Sequence, residues 1–215
     1  MSDRPSPPPV GHCGLLGSAA LAGAAGLTIS AARDQTPPTP ATPMPDDMTA
    51  DEVRSLLALE PHPTCGYVRL TFLSKQAIAA GGLAPPFAER RPLGSALCFM
   101  VTPERAVKLH RIRNDQPYHY YLGDPLEVLM LHGDGSSERV IVGPDLRGGQ
   151  RVQLFIPGGT FHTARLVGRR WFLGASTEWP SVEPADVEIG NMDELTARYP
   201  KDAADLRAFA IAAPG

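Results

Sequence analysis

The stretch from Val107 to Leu166 constrains the fold more than any other part of this 215-residue chain. It consists of short runs rich in Val, Ile, Leu, Tyr and Phe, and Gly-Asp, Asp-Gly or Pro-Gly-Gly sequences separate many of them. Short apolar runs with such turn sequences between them are typical of antiparallel strands. Strands of this length and spacing predict an all-β sandwich or barrel, in which closure of the sheet removes exposed strand edges.

Similar runs lie on both sides of this stretch. The predicted strands are residues 65–74, 95–101, 106–112, 117–122, 125–132, 139–143, 151–157, 161–167 and 169–177. Apolar and polar side chains alternate within residues 65–74, which predicts a half-buried strand. Residues 75–92 are rich in Gly, Pro and Arg, and they predict a loop long enough to form a lid or a partner contact.

Short helices are predicted at both ends of this sheet. Thr49 and Glu52 have the spacing of a capping box, so a helix is expected to begin at about Ala50. Two further short helices are expected within residues 192–200 and 203–213, packed outside the sheet.

Residues 1–47 differ from the rest in composition and are predicted to form a leader outside the domain. Residues 14–32 are small and apolar, and proline-rich sequence flanks them on both sides. Three interpretations remain: a signal peptide with a cleavage site at residues 30–32, a weakly hydrophobic membrane anchor, and a disordered leader or an artefact of an upstream start codon. We favour the last, with a single domain at 48–215 in the cytoplasm; export follows if residues 14–32 act as a signal.

Charge and cysteine content exclude several classes of protein. The formal net charge is −3, so the chain lacks the basic footprint expected of a nucleic-acid-binding protein. The three cysteines are widely spaced and form no CxxC pair, which argues against a disulfide framework and against a thiolate zinc site. No membrane partner is expected for the folded domain.

Two spacings resemble the motifs of the cupin superfamily. His110-x-Ile112, Gln116 and Gly123 have the spacing of its first motif, His-x-His, three or four residues, Glu, six residues, Gly. Pro157-x-Gly159-x-x-His162 matches its second motif, Pro-x-Gly-x-x-His. More narrowly, residues 49–200 resemble the DUF985 (cupin 5) family, notably in the strings Gly-Asp-Pro-Leu-Glu at 123–127 and Gly-Pro-Asp-Leu at 143–146.

The resemblance implies a double-stranded β-helix, or jelly-roll, barrel that is commonly dimeric and is related in shape to sugar-nucleotide epimerases and germins. A homodimer is therefore expected. Residues 95–101, SALCFMV, support it because this strand carries apolar side chains on both faces.

The chain departs from the metal-binding members at two positions. Ile112 and Gln116 stand where those members offer a histidine and a carboxylate. The remaining ligand set, His110 and His162 with Gln116, would bind a divalent metal only weakly, because catalytic metal sites normally have three protein ligands with charge compensation. We therefore expect no cofactor, and a divalent metal at these three residues is the alternative.

Strand parity predicts which polar side chains face the barrel interior. His110 shares a face with Ile112, whereas His119 and Tyr121 are expected to point outward. The side chains expected to point inward near the barrel mouth are His110, Gln116, Tyr118, Tyr120 and His162. A few convergent polar groups in an apolar pocket are typical of a small-molecule site; the alternative is that they only satisfy one another.

Arginines outside the barrel motifs are candidates for meeting a ligand anion. Arg69 lies on the first predicted strand, and Arg90 and Arg91 lie in the predicted loop. Planar guanidinium groups suit carboxylate or phosphate, although a surface salt bridge would also explain each of them. Arg69 and Gln116 are the predicted ligand-binding residues.

The sequence predicts a barrel that binds a small polar ligand, either sugar-like or an acid. The chain would then act as a metal-independent isomerase or epimerase, with His110 or His162 as base and Tyr118 or Tyr120 as proton donor. The alternatives are a metabolite-binding module without catalysis and a metal-dependent oxygenase or lyase. Whether the protein is an enzyme stays open at this level.

Overall fold

The computed structural model describes residues 47–211. The helices are α1 (Ala50–Leu57), α2 (Met192–Arg198) and α3 (Ala203–Ile211). The strands are β1 (Glu60–Pro61), β2 (Tyr67–Leu73), β3 (Ala77–Ile78), β4 (Arg91–Pro92), β5 (Ser95–Val101), β6 (Val107–Ile112), β7 (Gln116–Gly123), β8 (Leu126–Leu131), β9 (Ser137–Val142), β10 (Gln153–Ile156), β11 (Phe161–Leu166), β12 (Phe172–Glu178) and β13 (Val187–Ile189).

Two antiparallel sheets face each other and form the barrel. The six-stranded sheet has the order β1-β2-β5-β12-β7-β10, and the five-stranded sheet has the order β13-β6-β11-β8-β9. Both sheets contribute inward side chains to one buried cluster, including Phe99, Tyr118 and Phe172 from the first sheet and Val128 and Met130 from the second. The predicted all-β jelly-roll fold, with short helices at both ends, is confirmed.

Helices cover part of the outside of each sheet. Val53 of α1 packs with Met100 and Leu173 of the six-stranded sheet. The C-terminal helices place Leu195, Leu206 and Phe209 against Leu109, Leu129 and Phe161 of the five-stranded sheet. These contacts remove apolar side chains on the outer faces from water, which stabilises the two-layer arrangement.

The predicted start of α1 is confirmed in detail. The Thr49 hydroxyl accepts a hydrogen bond from the Glu52 amide, and the Glu52 carboxylate accepts one from the Thr49 amide. This reciprocal cap satisfies two backbone donors at the helix start. The predicted leader lies almost wholly outside the described residues, which begin at Asp47.

Three features differ from the sequence prediction. Residues 75–92 are not purely a loop, because β3 pairs with β4 within them. β2 is less buried than its alternation predicts: Leu70 and Phe72 are each 57% exposed, where a register shift follows Leu70 near the edge of the sheet. β13 was not predicted, because a three-residue strand carries too little periodicity to be recognised.

β13 is the element that most affects the site. The chain leaves β12 at Glu178, and residues 179–186 lead back across the barrel end before β13 pairs with β6 beside His110. We call residues 179–189 the cover segment. Arg91 anchors it through a buried, bidentate ion pair with Asp186.

Within residues 47–211, no helix has the length and apolar character needed to cross a membrane.

Candidate functional site

Two histidines stand side by side on neighbouring strands of the five-stranded sheet. His110 of β6 pairs in register with His162 of β11, and their ring centroids are 4.4 Å apart. His110 Nδ1 lies 2.7 Å from the Lys108 carbonyl oxygen, and His162 Nδ1 lies 3.2 Å from that of Thr160. Because a carbonyl oxygen can only accept, each Nδ1 is assigned the proton and each Nε2 keeps its lone pair.

Neighbouring side chains direct hydrogen-bond donors at these lone pairs. The Tyr118 hydroxyl lies 3.0 Å from His162 Nε2, and Gln116 Nε2 lies 3.4 Å from the same atom. The Ser176 hydroxyl in turn donates to Gln116 Oε1 at 3.2 Å. On the other imidazole, Cys65 Sγ lies 3.9 Å from His110 Nε2.

Burial keeps all of these groups uncharged near neutral pH. It lowers the pKa of His110 to about 4 and holds that of His162 well below its ordinary value. It also raises the pKa of the Cys65 thiol to about 11 and that of the Tyr118 hydroxyl well above its ordinary value. The charged form of each group would have to exist in a low-dielectric environment, which is the physical cause of all four shifts.

These side chains border a cavity of about 500 Å³ between the two sheets. His110 lines it from the five-stranded sheet, and Gln116 and Tyr118 line it from the six-stranded sheet. Its apolar walls include Leu70, Leu97, Phe99, Ile112, Val182, Val187 and Ile189. His162 is fully buried and lies behind this lining, so it holds Tyr118 and Gln116 rather than facing a ligand.

Glu178 is a titratable residue of the cavity that sequence reasoning missed. It ends β12, is only 2% exposed, and accepts a hydrogen bond from the Ser95 hydroxyl at 2.8 Å. Burial raises the pKa of its carboxyl. Extending the predicted strand 169–177 by one residue would have revealed it, because Ser176 and Glu178 share a face.

Tyr120 does not belong to the cavity, although the sequence placed it among the catalytic candidates. Its side chain packs inward as predicted, with its ring centroid 6.0 Å from that of Phe172. Its hydroxyl donates to the Gly123 carbonyl oxygen at 2.8 Å, near the end of β7. Two residues along a strand shift a side chain by roughly 7 Å, which separates Tyr120 from the histidines.

The arginines predicted to meet a ligand anion have other surroundings. Arg69 points to the outer face of the sheet, where it donates to the Leu57 carbonyl oxygen at 3.1 Å. Arg91 is buried and forms an ion pair with Asp186, whereas Arg90 is exposed. None of the three lines the cavity, so the predicted ligand-binding role of Arg69 does not fit its position.

His119 points outward, as parity predicted, and it bonds to neighbours on the same face. Its Nε2 lies 3.0 Å from the Thr177 hydroxyl, and its Nδ1 lies 3.2 Å from Gln153 Nε2. These contacts give it a structural role on the outside of the sheet.

The donor set of the cavity does not fit a resident catalytic metal. Ile112 has no donor atom, and the amide of Gln116 is engaged on both sides by His162 and Ser176. Within residues 47–211, no group of three or more His, Cys, Asp or Glu side chains is placed to hold a metal ion. The carboxyl of Glu178 is not grouped with the two imidazoles, so they alone would leave the cation's charge uncompensated.

Comparisons with known proteins agree with this architecture. The family described as the cupin superfamily (DUF985) matches residues 51–190. A hypothetical protein from Leishmania major is similar in structure, with 25% sequence identity and a TM-score of 0.68 over 75% of this chain and 98% of that one. Protein SO0799 from Shewanella oneidensis has 24% identity and a TM-score of 0.67 over 75% and 97% of the two chains. No curated protein sequence matches the chain.

Proposed function

The chain belongs to the DUF985 family of the cupin superfamily, and we propose that it uses the barrel cavity to bind a small, uncharged, hydroxyl-bearing molecule such as a sugar. The observation that carries this proposal is the set of neutral polar groups that converge between apolar walls. A pocket of this kind orients a ligand through a few hydrogen bonds and excludes water with its walls.

The hydrogen-bonding groups of the cavity match hydroxyls. His110 Nε2 offers an acceptor, and the hydroxyls of Tyr118 and Ser95, whose protons are directed at His162 and Glu178, keep lone pairs that accept from a ligand hydroxyl. The cavity lining contains Glu178 and Glu183 but neither Lys nor Arg. A carboxylate buried wholly inside would lack a cationic partner, which favours the sugar-like ligand over an acid.

The placement of His110 and Glu178 favours isomerase or epimerase chemistry as the second candidate function. His110 lines the cavity from the five-stranded sheet and Glu178 from the six-stranded sheet, so a ligand carbon between them meets a titratable group on each side. With its pKa at about 4, His110 is a weak base. The raised pKa of Glu178 makes its carboxyl the better matched group for moving a proton near neutral pH.

Tyr118→Phe is expected to weaken sugar binding about 2- to 10-fold, because it removes one hydroxyl that contacts the ligand. Isothermal titration with a panel of neutral monosaccharides and inositols measures the loss. Tyr121→Phe is the matched control, because Tyr121 is 53% exposed on the outer face. Equal weakening by both variants, or no saturable binding of any panel member, would contradict the proposal. Loss of binding after chelation would instead support the metal-dependent alternative.

Glu178→Gln is expected to leave the affinity for the sugar within about threefold of that of the parent. It should abolish any protein-catalysed exchange of carbon-bound hydrogens of the sugar with D₂O. The amide keeps the shape of the carboxyl but cannot take up or release a proton at working pH. Nuclear magnetic resonance of the bound sugar measures the exchange. Exchange that persists in Glu178→Gln would show that this carboxyl does not transfer the proton. Binding without exchange in the parent would indicate a metabolite-binding module.

The expected homodimer stays a prediction. The outer face of β5, on which part of that expectation rested, packs Met100 and Cys98 against neighbours in the same chain. Phe72 and Phe155, each 57% exposed, are apolar side chains of the six-stranded sheet that a second copy could cover.

A further inference from the structure

A second, smaller hollow of about 280 Å³ lies next to the cavity. We call it the basic hollow, because Arg105, Lys108 and His62 line it. The Lys108 amide donates to the Thr64 carbonyl oxygen at 2.8 Å, so residues 62–64 run beside the start of β6. His62 and Thr64 line both the basic hollow and the cavity, which makes the two spaces neighbours.

Charge is divided between the two spaces. The residues that line the basic hollow include two cations and no acidic side chain, whereas those of the cavity include Glu178 and Glu183 and no Lys or Arg. The guanidinium of Arg105 lies 5.3 Å from the centre of the Tyr67 ring, which holds its position without neutralising its charge. In the part of the chain that the structure describes, neither Arg105 nor Lys108 forms an ion pair with a carboxylate.

We propose that the basic hollow binds the phosphate of a phosphorylated sugar whose uncharged ring occupies the cavity. The proposal rests on the function proposed above, because the ring is assigned to the cavity. Two positive groups, Arg105 and Lys108, with the neutral imidazole of His62 beside them, suit the several oxygens of a phosphate better than the two of a carboxylate. The sequence had assigned anion binding to Arg69, Arg90 and Arg91, none of which lines the basic hollow.

Lys108→Ala tests this assignment, because it removes the ammonium group and keeps the backbone hydrogen bonds of residue 108 to Thr64 and His110. The unmodified full-length chain is expected to bind glucose 1-phosphate at least about tenfold more tightly than glucose, since a charge-assisted contact adds to the shared ones. Lys108→Ala should remove most of that preference and leave glucose affinity unchanged. Lys201→Ala, an exposed lysine beside the C-terminal helices, is the matched control and should behave as the parent.

The outcomes separate this inference from the cavity proposal. Glucose binding without a preference for the phosphate ester, or a preference that survives in Lys108→Ala, would overturn the proposal that the basic hollow binds phosphate. Neither result would contradict sugar binding in the cavity. Pyrophosphate binding that depends on Lys108, with no binding of either sugar, would support the hollow as an anion site and overturn the sugar-binding cavity. Glucuronate binding as tightly as glucose 1-phosphate would overturn the choice of phosphate over carboxylate.

Discussion

Asp186→Ala is expected to lower the free energy of unfolding by about 3–5 kcal/mol, because it leaves a buried guanidinium with only the half-exposed carboxylate of Glu183, 3.7 Å away. Asp186 and Arg91 are 2% and 4% exposed, and the carboxylate accepts hydrogen bonds from both terminal nitrogens of the guanidinium. The Glu183 amide also donates to Asp186 Oδ2 at 2.9 Å, so the same carboxylate shapes the cover segment. Urea denaturation followed by tryptophan fluorescence measures the change.

Two further variants make this result interpretable. Glu188→Ala removes an exposed ion pair, in which the side chains of Arg111 and Glu188 are 37% and 55% exposed. It should lower the free energy of unfolding by no more than about 1 kcal/mol. Replacing both buried partners, Arg91→Met with Asp186→Leu, removes both charges and should recover most of the lost stability. A loss from Asp186→Ala that is no larger than that from Glu188→Ala would show that the ion pair does not hold the cover segment.

Acidification from pH 6.5 to about 4 is expected to lower the free energy of unfolding by about 3 kcal/mol through His110 alone. The unfolded chain binds a proton at this imidazole near its ordinary pKa of 6.5, whereas the folded chain does so only near its lowered pKa of about 4. Between these values the unfolded state binds more protons, so acid favours unfolding. His162, with its pKa also well below the ordinary value, acts in the same direction.

Glu178 opposes this loss of stability on acidification, so a variant is needed to isolate the contribution of His110. Because the pKa of Glu178 is raised, the folded state takes up that proton first, which favours folding as the pH falls through this range. His110→Gln cannot titrate, so its free energy of unfolding should decrease less between pH 6.5 and 4.5 than that of the parent. An unchanged slope in His110→Gln would contradict the assignment.

Much of the fold follows from local patterns in the sequence. Short apolar runs between turn sequences predicted the long strands, and the spacing of Thr49 and Glu52 predicted the start of α1. Parity also placed His110, Gln116 and Tyr118 on inward faces, where the structure has them at 3%, 4% and 1% exposure. These predictions succeed because the face of a strand on which a side chain lies is decided within a few residues.

Local pattern could not decide which inward side chains meet at one level of the barrel. Tyr120 has the same parity as Tyr118 but lies too far along the strand, and Arg69 points away from the cavity despite its strand's partly buried pattern. Glu178 joins the site because β12 pairs with β7, a strand that lies far from it in the chain.

The sequence by itself determined the barrel, its inward faces and the pair of histidines without their carboxylate partner. Only the tertiary structure decided that His162 lies behind the cavity, that Glu178 faces it, and that Arg105 and Lys108 stand beside it. The physical reason is that strand periodicity is a local property of the chain, whereas the level and depth of a side chain depend on register between strands distant in sequence.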